Sequence, residues 1–479
     1  MIRFLLTAIF MIISISSVVF SDTNTDIKSN NLNKHININK VPKTALNKKA
    51  DNTKNIIYAK ELKSYRGIKF FYAKDNSSQL VHIKISFDCS GSAYQEKQKA
   101  GVPAFYASTV TEGCGSYSSI ELKKEISAAM AYLSSNYDMD KIWFNMTTPT
   151  LTLEKTAKLL NTVLRDPKFE EDKIKMYQDS KVAALQNYSI SPAGSALHQI
   201  APAIIFPGHA YGNGLAGSAE DFAKLTVNDL HKYRKKFIVA NNAQGCVFGN
   251  ISEEQAKRLI DKIFDKIDDG KKAKNIVVDI EPKIFSLKKQ YYVNGPISLI
   301  IFILKGTKLT SPNRFPARIF STIFGEGSLF KGRLMGILRG KGYIYGGSIN
   351  TLNFDHSDYI LGMLETDNSK VEAAITTLKG IIKDFREKGI TESELQFAKN
   401  LLKGSTVVGL RSSGSLCGFF FTAMRKGLGV NALSDFLDGI DKVTIEEVNG
   451  FCKNNLNEND IPFIIMGGNI KGGNVNADK

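Results

Sequence analysis

The second half of the chain repeats the plan of the first. Ile297 to Leu304 is a strongly apolar run like Val81 to Phe87, Tyr359 to Thr366 matches Lys141 to Thr148, and Val371 to Phe385 matches Glu154 to Lys168. Glu392 to Lys403 answers Glu171 to Leu185, and counterparts stand roughly 220 positions apart. A period that long excludes a solenoid, whose repeats run about 20 to 50 residues, and implies a duplicated domain. Within the first copy, Val81, Ile83, Ile85 and Phe87 alternate with His82, Lys84, Ser86 and Asp88, the period-two pattern of a half-buried strand. The pattern turns helical from Ala100, a further strand is expected at Trp143-Phe144-Asn145-Met146, and two helices follow over Leu153 to Leu164 and Phe169 to Leu185. Asp166-Pro167 divides those helices, because proline cannot continue the first. Strands followed by paired helices in each half predict an α+β fold of two duplicated domains, each a sheet packed on helices.

The boundaries follow from composition. Residues 1–21 carry one early charge, Arg3, then an apolar run from Phe4 to Phe20, which reads as a secretory signal peptide or, if retained, a membrane anchor. Either way the expected location is exported and periplasmic, with membrane contact only through a retained segment. Residues 22–55 are rich in Asn, Lys and Thr and read as a disordered leader. The first domain is expected over 56–270, a charged linker over 271–286, around Asp268-Asp269-Gly270-Lys271-Lys272, and the second domain over 287–479. The formal charge of +16 is spread among scattered lysines and predicts no nucleic-acid partner. Five cysteines, Cys89, Cys114, Cys246, Cys417 and Cys452, show no Cys-x-x-Cys pair and are expected mostly as buried small hydrophobes.

Several ordered motifs carry a resemblance. Pro207-Gly208-His209-Ala210-Tyr211-Gly212, Gly217, and Leu225-Thr226-Val227-Asn228-Asp229-Leu230 with Tyr233 are similar to an "HPYG … G … LT..DL..Y" run. Asn241-Asn242 and Val247-Phe248-Gly249-Asn250 resemble the strand that ends a first domain. Gly325-Glu326-Gly327-Ser328-Leu329-Phe330, Arg333-Leu334 and Leu338-Arg339-Gly340-Lys341-Gly342-Tyr343-Ile344-Tyr345 resemble "GG..SRL...LRE..GLAY". In this order they make the chain, from about residue 58 onward, resemble the pitrilysin/insulinase (inverzincin) metallopeptidases, in their two-domain branch with the mitochondrial processing peptidases and bacterial relatives. The resemblance implies two α/β-sandwich domains of the processing-peptidase type.

It also marks what is missing. Active members carry His-x-x-Glu-His on the first long helix, where histidines at i and i+4 share one face to bind zinc and the Glu between them acts as base. Here the ligand histidines align with Ala104 and Ser108, the base with Ala107, and the later glutamate ligand with Ala183 or Ala184. The six histidines, His35, His82, His198, His209, His231 and His356, include no pair within five positions, so no local zinc pair exists. Each is expected to be structural, His209 as a turn residue. No Gly-x-Ser-x-Gly elbow offers serine catalysis, and Glu112 and Glu326 are expected as exposed loop carboxylates.

By the same resemblance, Arg339 and Tyr345 match an Arg and a Tyr that face the zinc site and hold the substrate. A guanidinium and a phenol can bind a peptide carbonyl and the oxyanion formed from it. The other reading makes Arg339 a helix cap or salt bridge and Tyr345 the start of a strand. Gly340 stands where Glu is usual. The expected function is thus a non-catalytic, substrate-binding or regulatory subunit of an exported heteromeric zinc peptidase. It needs no cofactor of its own, its catalytic residues are none, and its partner is a zinc-bearing homologous subunit. The alternative is a stand-alone protein that holds extended peptides on a sheet edge.

Overall fold

The computed structural model describes residues 58–96, 99–190, 201–281, 287–292, 295–326 and 332–468. The expected signal peptide and leader, residues 282–286 of the expected linker, and 327–330 of the glycine motif lie outside these.

The first half runs β1 (Lys60–Lys63), β2 (Lys69–Lys74), β3 (Leu80–Phe87), α1 (Val102–Thr109), a small hairpin of β4 (Gly113–Cys114) and β5 (Tyr117–Ser118), α2 (Ser119–Ala128), β6 (Tyr132–Tyr137) and β7 (Ile142–Pro149). It continues through α3 (Leu153–Arg165), α4 (Glu171–Ile190), α5 (Ala201–Ile205), α6 (Ala219–Ala223), α7 (Val227–Phe237), β8 (Ala243–Gly249) and α8 (Glu253–Ile263). The second half comprises β9 (Leu287–Tyr292), β10 (Ile297–Lys305), α9 (Arg314–Phe324), α10 (Arg333–Gly340), β11 (Gly346–Asn353) and β12 (Asp358–Asp367). Then come α11 (Val371–Lys388), α12 (Glu392–Gly409), α13 (Ser413–Arg425), α14 (Ala432–Lys442), α15 (Ile445–Asn455) and β13 (Pro462–Gly467).

The duplication is literal in the sheets. Their strand orders are β1-β2-β8-β3-β7-β6 and β9-β13-β10-β12-β11, so that, β1 aside, each strand of the first has a counterpart in the second. In each, the last strand of the half pairs in parallel with the first of these, β8 with β2 and β13 with β9, and the other pairings are antiparallel. One face of each sheet packs on its own helices: Ile83, Ile85 and Phe144 meet Leu160, Val163 and Phe264 in the first core, and Ile300, Phe302 and Leu364 meet Phe320, Leu378 and Phe385 in the second. The mixed helices and sheets are the α+β arrangement the sequence predicts.

The other face of each sheet is covered by the opposite half. On the first sheet, Phe71, Ala73, Trp143, Cys246 and Phe248 are buried under Leu416, Cys417, Phe420, Phe421 and Met424 of α13, with Phe248 and Phe420 stacked at 5.5 Å. On the second, Ile301, Ile303, Leu361, Met363 and Ile464 are buried under Ala201, Ile205, Phe206 and Tyr211. This explains why β10 is apolar from Leu299 to Leu304 without alternation: a central strand covered on both faces needs no polar side. The crossing between halves is tied down rather than loose. Ala240 N–H donates to the Asp268 carbonyl at 3.0 Å, and Ile280 N–H donates to the His356 carbonyl at 2.9 Å.

A charged cluster sits at one end of α13. Lys141 is buried and bonds Asp355 at 2.9 Å and the Arg425 carbonyl at 2.6 Å, while Lys426 reaches Asp355 at 3.0 Å and Asp140 at 3.4 Å. Arg425 pairs with Asp138 and lies 4.2 Å over Trp143. Tyr211 donates to Asp140 at 2.5 Å, and the Asp355 N–H donates to the same carboxylate at 2.8 Å. Cutting one member of a buried pair leaves the other charge uncompensated, so Arg425→Ala should cost about 3 to 5 kcal/mol of unfolding free energy in urea titration. A loss below about 1 kcal/mol would show that water reaches Asp138 freely.

The same cluster sets an acid limit. Burial pushes the Asp355 carboxyl upward, but Lys426 and then Lys141 more than overcome this and hold it at about 2. Unfolded, an Asp titrates near about 3.9. A carboxylate depressed by folding stabilises the native state above the unfolded value, and that contribution disappears as pH falls through the folded one. Thermal unfolding followed by circular dichroism should show a falling midpoint between pH 4 and pH 2, with Asp355→Asn less stable at pH 7 and flatter in that window. Parallel profiles for the two proteins would remove Asp355 from the account.

Candidate functional site

Helix α1 is short and apolar nearly all round, and its start is set by backbone contact. Gly101 has φ +97°, and a Cβ there would lie 2.5 Å from the Ala216 carbonyl oxygen, so only glycine lets this helix begin against the 216–217 turn. Ala104 is fully buried, Ala107 is buried and Ser108 half-buried. Ser135 of β6 donates its hydroxyl to the Ala107 carbonyl. From α4, Tyr177 stacks on Phe105 at 5.9 Å, and burial raises its phenol pKa. Phe222 closes the other side of Phe105 at 5.2 Å. At the positions that the family resemblance assigns to two imidazoles and a carboxylate stand methyl groups and a hydroxyl, on a helix whose Phe105 is packed between Tyr177 and Phe222.

The remaining ligand position is no better supplied, since Ala183 is exposed and Ala184 half-buried. Among the described residues no three of His, Cys, Asp and Glu gather closely enough to hold a metal ion. The residues present do not fit zinc. The described histidines each serve local structure. His82 contacts Thr147 at 3.1 Å, His231 meets the Phe169 ring edge-on, and His356 bridges Tyr94 at 2.7 Å and Asp279 at 2.9 Å. His209 accepts from the Tyr211 N–H at 3.2 Å and contacts the Val278 carbonyl at 3.0 Å, a turn residue as its motif suggests.

The two glutamates expected as exposed loop carboxylates are otherwise placed. Glu112 accepts from Ser119 at 2.5 Å and from Lys123 at 2.7 Å, and these bonds outweigh burial to lower its pKa. Glu326 is largely buried, pairs with Arg318 at 2.7 Å and accepts from the Thr351 hydroxyl at 2.9 Å. Each carboxylate ties a turn to a neighbouring element, Glu112 to the start of the following helix and Glu326 to Arg318 of α9 and Thr351 of β11.

Beside α1 runs β6, the open edge of the first sheet. It pairs with β7 from Tyr132↔Thr147 to Tyr137↔Ile142, and no strand among the described residues pairs with its other side. Tyr-Leu-Ser-Ser-Asn-Tyr offers weak alternation, which is why sequence reasoning passes over it; its half-exposed side chains are those of an edge strand. Arg339 lies exposed in the last turn of α10. Tyr345 is 58% exposed and donates its N–H to the Glu365 carbonyl at 2.8 Å. It immediately precedes β11, which is the edge of the second sheet. Arg339, at the end of α10, and Tyr345, directly before β11, thus flank the connection that feeds an edge strand.

The insulinase (peptidase family M16) model matches residues 69–218, and the M16 inactive-domain model matches residues 224–402. The chain belongs to the insulinase-like M16 family. Among its relatives, a "non-peptidase homolog YmxG" of Helicobacter pylori is 20% identical over 400 residues, 83% of this chain and 91% of that protein. A probable mitochondrial-processing peptidase subunit beta of Arabidopsis thaliana is 19% identical over 54% of this chain and 49% of that protein. An M16 inactive domain from Pseudomonas fluorescens superposes with a TM-score of 0.80 at 18% identity, covering 86% of this chain and 98% of that one. A Helicobacter pylori protease gives 0.77 at 14%, covering 86% and 100%. The inactive-domain match and the non-peptidase relative support a non-catalytic role for this M16 chain.

The filled site makes a checkable claim. Adding volume to a close-packed core costs about 1 to 3 kcal/mol, so Ala104→His, Ala107→Glu and Ser108→His together should lower unfolding free energy by at least that amount. Equilibrium dialysis should find no stoichiometric zinc on the triple variant; a full equivalent bound would mean the site is vestigial in ligands only.

Proposed function

We propose that this M16 chain is the non-catalytic, substrate-binding or regulatory subunit of an exported heteromeric zinc metallopeptidase acting on peptides or proteins. The observation that carries the reading is the pairing of a filled metal position on α1 with an open strand edge, β6, bonded directly to it through Ser135 and Ala107. An extended peptide can add to such an edge through main-chain hydrogen bonds, with its side chains alternating toward and away from α1. Arg339 and Tyr345 extend the same task on the second half, presenting a guanidinium and a phenol to a peptide carbonyl. Zinc and the water it activates belong to a homologous partner, and this chain's share is to hold and align the substrate. The processing-peptidase relative, which is named as a subunit, supports an assembly of this kind. The apolar run from Phe4 to Phe20 supports export, with the periplasm as the proposed location of the pair.

The test is reconstitution. The purified chain should hydrolyse no fluorogenic peptide and carry no zinc, and hydrolysis should appear, or rise at least tenfold, on mixing with a His-x-x-Glu-His homologue from the same source. In the mixture, Arg339→Ala and Tyr345→Ala should raise KM more than they lower kcat. A chain that binds peptides yet never changes a homologue's activity would instead be the stand-alone peptide-binding protein. Chelator-sensitive hydrolysis by the chain alone would overturn both readings.

A further inference from the structure

A row of polar side chains crosses the face of the first sheet that is turned away from α1, and it ends at the open edge. Lys84 of β3 stands opposite Asn145 of β7, and Asn145 stands opposite Ser134 of β6. Residues directly opposite one another in neighbouring strands share a face at about 4.5 to 5.5 Å, so these three form one line across three strands. Ser135, the next residue of β6, belongs to the other face, where it bonds the Ala107 carbonyl. The line begins beside α13, with the Lys84 ammonium 5.8 Å from the centre of the Phe421 ring, and it ends at Ser134, half-buried on the edge strand.

Counting protons gives the row a direction. Lys84 donates to Asn145 Oδ1 at 2.9 Å, and because an ammonium can only donate, this bond fixes which end of the Asn145 amide faces β3. The amide nitrogen therefore turns toward the edge, where it donates to Ser134 Oγ at 3.2 Å. Asn136, two residues along the same strand and on the same face, brings a second N–H to that oxygen at 3.5 Å. A serine hydroxyl has two lone pairs and one proton; with N–H groups at both lone pairs, Ser134 is left with a proton to give. Each donor in such a chain polarises the next, and this chain starts from a cation, so the donor it presents at the edge is a strengthened one.

We propose that Ser134 is a specificity-determining residue that donates to a side-chain oxygen of the peptide held on the β6 edge, an Asp or Asn at the position directly opposite, with Asn145 and Lys84 as positioning residues behind it. The inference rests on the peptide-holding reading above and adds which side chain is selected. A strand added to the edge sets one residue opposite Ser134 on the same face, where it becomes the fourth member of the row. Asp and Asn carry an acceptor oxygen close to the backbone and continue the chain, whereas Ala offers no acceptor. Lys and Arg have no acceptor either and bring a like charge into line with Lys84.

The test uses the whole chain and fluorescent ten-residue peptides, acetylated and amidated at their ends and differing at one central position, which is Asp, Asn, Ala or Lys. A hydrogen bond of ordinary net strength makes the Asp and Asn peptides bind about tenfold more tightly than the Ala peptide, with Lys the weakest. Ser134→Ala should abolish that preference while leaving the affinity for the Ala peptide unchanged, and Ser134→Thr, which keeps the hydroxyl, should retain it. Asp binding more tightly than Asn, with the gap closed by Lys84→Met, assigns a carboxylate; equal affinity for the two assigns a neutral acceptor. Equal binding of the Ala and Asn peptides, or a preference that survives Ser134→Ala, would overturn this assignment while leaving the peptide-holding reading in place. Binding of none of the four would overturn both.

Discussion

Everything in this molecule depends on the docking of α13 across the outer face of a sheet that belongs to the other half. The helix is fixed at both ends by carboxylates and along its length by apolar packing. At its start Ser413 bonds Asp75, placing an anion where the helix dipole is positive; at its end Arg425 and Lys426 meet Asp138, Asp140 and Asp355, placing cations where the dipole is negative. Between them Phe420, Phe421 and Met424 lie on Phe248 and Trp143. Ion pairs in such a setting contribute orientation more than net stability, because desolvation offsets much of their attraction. The apolar body supplies the burial, and the charges fix the direction in which the helix lies.

The exchange has a consequence for function. Because α13 covers the first sheet and the segment from Ala201 to Tyr211 covers the second, neither sheet keeps a free face for a ligand. On the proposed reading, peptide binding therefore falls to the sheet edges and to the segments that lead into them. The residues singled out by sequence motifs lie near these edges: Ala107 of α1, bonded to Ser135 of β6, and Arg339 and Tyr345 before β11. A sheet face binds by side-chain shape, whereas an edge binds by backbone hydrogen bonds, which every extended peptide can supply. An apparatus built on edges suits broad recognition, and any selectivity must come from a few side chains placed next to the edge.

Much of this is written locally in the chain. The repeat near 220 positions foretells two sheets of one topology, because each strand and helix carries its own period. The residues at Ala104, Ala107 and Ser108, which the resemblance aligns with the zinc motif, are likewise a matter of residue identity alone. What sequence conceals is contact across distance. Asp138, Asp140 and Asp355 look like polar turn residues until the fold sets them around Lys141 and Lys426. Glu326 looks like a loop carboxylate until Arg318 and Thr351 close on it. The charged crossing after Phe264 reads as a spacer, yet its backbone groups pair with residues of both halves, bonds that leave no trace in composition. The β6 edge is hidden for another reason: an edge strand needs only half a hydrophobic pattern, and Leu133, Ser135 and Tyr137 provide little more than that.

The way the metal position is filled says something about how such a site can be lost. A zinc site that held the fold together could not be removed without unfolding the domain. Here α1 is anchored by Phe105, Tyr106 and Val110, all fully buried, and by Gly101 at its start, none of which stands at a ligand position. Replacing ligands by Ala104 and Ala107 leaves apolar methyl groups in an apolar place, which favours the folded state instead of weakening it. Ser108, the third of these positions, is half-buried on the same short helix. A helix so packed has no reason to open. On the proposed reading it stands as a rigid wall beside the β6 edge, joined to it where Ser135 bonds the Ala107 carbonyl.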